Sequence, residues 1–188
     1  MLMPIFGLLA IFLTNNSMLL LPYDAKRIIL IIVAINTLAL PLLMIPLFNR
    51  MGLIKSLQMH EHRERIIPIT FTLVPYIFSF YFLKRLAIIN EVSLFMLGAS
   101  IALAIALVNT IWWKISLHMV GIGGLVGLFF TLSTRFHFDI TGYFIAAVVI
   151  AGIVAWARLR LNTHKPSQVY LGFIAGWISV SATILLLG

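Results

Sequence analysis

The chain alternates long apolar runs with short polar clusters. Apolar stretches cover roughly residues 4–22, 28–48, 66–83, 92–113, 117–134, 140–157 and 169–187. A helix of about 20 such residues is what a hydrocarbon core demands. The pattern therefore predicts an all-α fold: a polytopic transmembrane helical bundle of about six to seven spans. No internal repeat, linker or low-complexity stretch divides it, so residues 1–188 read as a single integral membrane domain.

Two runs depart from the rule. The first is interrupted by Asn15, Asn16 and Ser17, which leaves both a spanning and a re-entrant reading open. The 117–134 run is short, and at about 1.5 Å per residue it falls slightly below the hydrocarbon thickness. Its amino-terminal end is expected inside the membrane plane, facing protein or water. Pro41, Pro46 and Pro75 lie within spans, where kinks are tolerated. The small-xxx-small pairs Gly123/Gly127 and Gly172/Gly176 predict close helix packing.

Composition sharpens the class. Only 10% of residues are charged and mean hydropathy is +1.12, more apolar surface than a soluble domain of this size can hide. The amino terminus has neither a basic n-region nor an A-x-A-like site, so no cleavable signal peptide is expected. The absence of cysteine excludes disulfides, thiol nucleophiles and cysteine metal sites. A net charge of +8 would suggest nucleic acid in a soluble chain. Here no extramembrane segment is long enough for that role. The basic residues are assigned instead to helix ends at lipid headgroups and to phosphate binding.

Alternating the loops sorts these charges. One side receives Lys26, Arg27, Lys84, Arg85 and Arg135; the other receives Arg50, Lys55, Arg63, Arg65, Lys114, Arg158, Arg160 and Lys165. His60, His62, His118 and His164 join the second side, and His137 the first. Three separate loops thus bring most reactive side chains to one face. Functional cations do not report orientation, so the membrane face of this end stays open.

Three clusters on that face carry the chemistry. In the third, Arg158 ends one span and His164 precedes the next, with Thr163 or Ser167 expected to cap the last helix and Pro166 in its first turn. A helix amino terminus beside an arginine favours a bound phosphate, and a neutral imidazole there can attack phosphorus. In the second, Ser116 is expected as a helix N-cap holding phosphate oxygens, His118 as general acid and Lys114 as a point charge. In the first, Arg63 and Arg65 can clamp anionic oxygens, while His60 and His62 read best as a solvated loop.

These residues resemble the type 2 phosphatidic acid phosphatase superfamily, in its divergent bacterial branch. Ile115-Ser116-Leu117-His118 matches its Pro-Ser-Gly-His motif at serine and histidine. Ala157-Arg158, with His164 and Gln168 following, matches its Ser-Arg-x5-His-x3-Asp motif at arginine and histidine. Lys55, Arg63 and Pro68 follow the Lys-x6-Arg-Pro motif with one residue too many, and Trp113 to Gly121 resembles the signature of a short bacterial branch.

The resemblance covers the last five spans. It implies a bacterial inner-membrane phosphatase, independent of metals and cofactors, acting on a lipid phosphate or isoprenoid diphosphate through a phosphohistidine. His164 would be the nucleophile and His118 the acid; Arg158, Ser116, Lys114, Arg63 and Arg65 would bind substrate. Gln168 stands where the family has aspartate, and Glu61 or Glu64 is expected to supply the missing carboxylate to His164. The alternatives are a degenerate member that binds or transports phosphorylated lipids, and a small anion or lipid transporter.

Overall fold

The computed structural model describes residues 2–13, 21–54, 63–86, 90–135, 137 and 139–188, with Arg63 described in its backbone only. Lys55, His60, Glu61 and His62 lie outside the described residues. Among the described residues seven long helices follow in order: α1 Met3–Leu13, α2 Tyr23–Arg50, α3 Ile66–Arg85, α4 Asn90–Trp112, α5 Leu117–Arg135, α6 Thr141–Arg160 and α7 Pro166–Leu187. The six from α2 to α7 are long and apolar enough to cross a membrane. The chain is an all-α polytopic bundle.

Expected and observed spans differ at the amino-terminal end. α1 has 11 residues, about half the length of a hydrocarbon core; residues 14–20 of the expected first span lie outside the described residues. α2 starts at Tyr23, so Asp24, Lys26 and Arg27 sit in its first turns rather than in a loop. Pro41 has no N–H to offer the carbonyl of Thr37. The helix widens just before it into a π turn, Ile35–Ala39, where the Leu40 N–H reaches the Ile35 carbonyl.

α5 is the axis of the bundle. It packs against α1, α4, α6 and, most extensively, α7. The glycine pairs explain that intimacy. A Cβ on Gly123 would strike the Phe173 carbonyl, and one on Gly176 the Val120 carbonyl. Only bare backbones can approach so closely in lipid, where no water needs expelling and packing holds helices together.

α6 is the opposite case, packing chiefly on α5 and burying only Ala147 and Ala151. Ile145, Val149, Ile153 and Trp156 of α6 are exposed, a surface that belongs in lipid.

Hydroxyls inside these helices bond back to their own backbone. Thr37, Thr72, Ser79, Ser100, Thr110, Thr131, Ser179 and Thr183 each donate to the carbonyl four residues earlier at 2.6–2.9 Å. In lipid an orphaned hydroxyl is costly, and these bonds remove the cost.

Candidate functional site

The turn between α6 and α7 shows why Arg158, His164 and Gln168 have their spacing. Asn162 takes φ 49° and reverses the chain, a conformation asparagine tolerates after a helix end. Thr163 then ties back to the last turn of α6: its N–H and its Oγ both donate to the Arg158 carbonyl, at 3.3 and 3.1 Å. Lys165 is the N-cap of α7 and Pro166 opens the helix. Neither Thr163 nor Ser167 caps α7, contrary to expectation. Thr163 is committed to α6, and Ser167 lies beyond the N-cap, already within the helix.

Gln168 takes over the capping position. Its Oε1 accepts the Lys165 backbone N–H at 3.0 Å, and its own N–H donates to the Lys165 carbonyl at 3.0 Å. A glutamine at the third helical position is well placed for this return bond. The same oxygen lies 3.3 Å from His164 Nδ1. The expected rescue by a glutamate is not seen at Glu64: among the described residues the partner of Nδ1 is Gln168. Glu61 lies outside them.

The start of α5 is fastened to this turn. The Ser116 N–H donates to the Gln168 backbone carbonyl at 3.3 Å. Gly172, one turn further along α7, leaves room for the Ser116 carbonyl, 2.9 Å from where a Cβ would stand. Ser116 heads α5 as expected, its carbonyl accepting from Met119 and Val120 at 3.0 Å. Its hydroxyl does not cap. Ser116 is 0% exposed, and among the described residues Ser116 Oγ is the buried polar side-chain atom without a hydrogen-bond partner.

Around this serine the expected cations gather. The charges of Arg65, Arg158 and His164 act on the His118 ring; those of Arg65, Lys114 and Arg158 act on His164. Arg65, Lys114, Arg158 and His164 are half-buried and His118 is exposed, so a ligand can reach them. Burial, then Arg65, Lys114 and Arg158, push the His164 imidazole down to about 4 against the raising effect of the Gln168 bond. Burial and Arg65 likewise lower the Lys114 ammonium below its usual range. Among the described residues Lys114 and Arg158 form no ion pair with an acid, and no three His, Asp or Glu side chains stand close enough to hold a metal.

Two concavities flank this end. One, about 530 Å³ and open, is lined by Leu159, Asn162, Thr163, His164, Lys165, Pro166 and Gln168. It meets the cluster at His164 and Gln168 but does not extend to Ser116, His118 or Arg158. The other, about 240 Å³, is an apolar groove between α2 and α3 lined by Pro41, Met44, Phe48, Pro68, Phe71 and Pro75 among others.

The sequence reading missed two contributors. Gly172 was assigned to packing alone, although it sets the approach of Ser116 to α7. The backbone carbonyl of Gln168 has no sequence signal, because only the folded pairing of α5 with α7 gives it a partner.

Fold and site together define a membrane-type helical bundle with a basic, histidine-bearing polar cluster at one end. The chain matches no family model, no curated protein and no solved structure.

Proposed function

We propose that this end of the bundle binds the phosphate of a phosphorylated lipid and hydrolyses it through a phosphohistidine, as a metal-independent phosphatase of the type 2 phosphatidic acid phosphatase kind in a bacterial inner membrane. The observation that carries the reading is Ser116 Oγ, wholly buried and unpartnered at the head of α5. Every helix start presents free N–H groups and partial positive charge. Here a donor hydroxyl, two histidines and the cations Arg65, Lys114 and Arg158 are added to it. That set suits a tetrahedral oxyanion.

In the reaction, the His164 Nε2 lone pair attacks phosphorus and the ester P–O bond breaks. The leaving oxygen takes the proton that His118 holds beside the bound phosphate anion. Water then attacks phosphorus, the P–N bond breaks, and the proton released by water returns to His118. Ser116 and Arg158 hold non-bridging oxygens, with Lys114 and Arg65 balancing charge. The apolar groove between α2 and α3 begins at Pro68, three residues after Arg65, and suits the hydrocarbon tail.

The test is phosphate release by purified protein from a panel of lipid phosphates and diphosphates. Release that disappears in His164→Ala and in His118→Ala supports the enzyme; no release from any substrate overturns it.

Gln168 favours a second reading, a protein that binds such lipids without cleaving them. In another hydrolase, loss of the carboxylate behind a catalytic histidine cost about 10⁴ in kcat. Lipid-phosphate binding without turnover, surviving both histidine substitutions, selects it. Anion flux in proteoliposomes that Arg158→Ala abolishes would instead indicate a transporter.

A further inference from the structure

We propose that Gln168 is the positioning residue of His164, holding the imidazole as its Nδ1–H tautomer and making the site run on a neutral carboxamide in place of a carboxylate. The geometry settles each atom in turn. A backbone N–H only donates, so the Lys165 N–H at 3.0 Å fixes which end of the Gln168 amide is oxygen. That oxygen only accepts, so the Nδ1 that faces it at 3.3 Å carries the proton. Nε2 is left with the lone pair.

One side chain therefore closes the start of α7 and selects the tautomer of the residue before its N-cap. Its backbone carbonyl meanwhile holds the Ser116 N–H. Gln168 itself is buried, at 8% exposure, so its amide is held in place at the edge of the open concavity.

A carboxylate in this place would add negative charge to the same hydrogen bond and favour the imidazolium. The carboxamide orients without that charge. The groups acting on the ring are Arg65 before α3, Lys114 between α4 and α5, and Arg158 on α6, all cationic; His118 of α5 shares the cluster. Protonating His164 would add a positive charge facing these three, and they oppose it. The ring stays neutral into acid, its Nε2 lone pair available over the whole neutral range.

The catalytic meaning of this device rests on the phosphohistidine reading; the tautomer and the titration do not. Full-length protein labelled with [¹⁵N]histidine, in nanodiscs of neutral phospholipid without phosphate, reads both. The His164 resonances are assigned by their loss in His164→Gln.

The expected result is a lone-pair type shift at Nε2, a protonated type at Nδ1 and a midpoint well below an ordinary histidine. Gln168→Glu keeps the cap and the tautomer, and raises the midpoint by about one unit or more. Gln168→Leu removes the tautomer preference yet leaves the midpoint low, because the cations remain. Circular dichroism and size-exclusion profiles matching the parent show that the variants fold. An Nε2–H tautomer in the parent, or a midpoint that Gln168→Glu does not move, overturns the proposal. Failure of every lipid phosphate as substrate would overturn the phosphatase and leave this result standing.

Discussion

The two ends of the bundle use basic residues for opposite purposes. At one end Arg135, Lys26 and Lys84 find partners within the protein itself. Arg135 donates to the Leu185 carbonyl at 2.9 Å and so closes the carboxyl-terminal end of α7. Lys26 reaches the Phe12 carbonyl at 3.4 Å and lies over the Phe12 ring, while Lys84 lies over Phe80. At the other end Arg65, Lys114 and Arg158 act on one another and on two histidines. Like charges gathered in this way repel one another, and an anion bound among them would relieve that repulsion. Composition treats all these residues alike; their surroundings separate anchors from the proposed binding site.

Substitutions at the two ends should therefore part company. The largest effect belongs to His164→Ala, expected to lower phosphate release by about 10⁴-fold or more in a turnover assay while lipid-phosphate binding stays within a few-fold. A similar loss from Arg135→Ala would erase the distinction between the ends. Next comes Arg158→Ala, expected to weaken binding of a phosphorylated lipid by about 10- to 100-fold, as loss of a charged hydrogen bond does. Binding measured at rising salt should fall in the parent and fall less steeply in this variant.

Ser116→Ala is expected to weaken the same binding by about tenfold. Without ligand, however, it should leave stability unchanged or slightly raise it, because an unsatisfied buried hydroxyl is removed. Lower stability without ligand would mean that the serine serves the fold. The smallest effect is that of Arg135→Ala: a loss of about 1 kcal/mol in thermal or denaturant stability, with affinity unchanged.

Acid should also distinguish the ends. His164 is depressed to about 4, so between about pH 6.5 and 4 the unfolded chain takes up a proton that the folded site refuses. Stability contributed at this residue is complete above about 6.5 and is lost as pH falls toward 4. His164→Gln should flatten that slope in a pH series of unfolding midpoints; an unchanged slope would place the acid sensitivity elsewhere.

Much of this organisation was legible beforehand. Apolar periods placed α3 to α7 within a few residues, because every backbone polar group in lipid must be met internally and long helices do this. Loop alternation placed Ser116, Lys114, Arg158 and His164 on one side for the same reason. The amino-terminal quarter was less legible. Lys26 and Arg27 marked a loop by charge, yet they lie in the first turns of α2, where long side chains can reach back to polar groups. The N-cap of α7 was misplaced because Thr163 and Ser167 both looked able to cap, and the pull of Arg158 on Thr163 was invisible.

By itself the sequence determined the helices, their alternation and the chemical types that meet at one end, since these follow from hydropathy and from counting spans. Only tertiary structure decided what each group does there. Whether a serine hydroxyl caps its helix or stays unpartnered, and whether glutamine orients a histidine, depends on bonds of about 3 Å between α5, α7 and the turn preceding α7. Hydrogen bonds are directional and short, so the placing of whole helices fixes them, and no local spacing can.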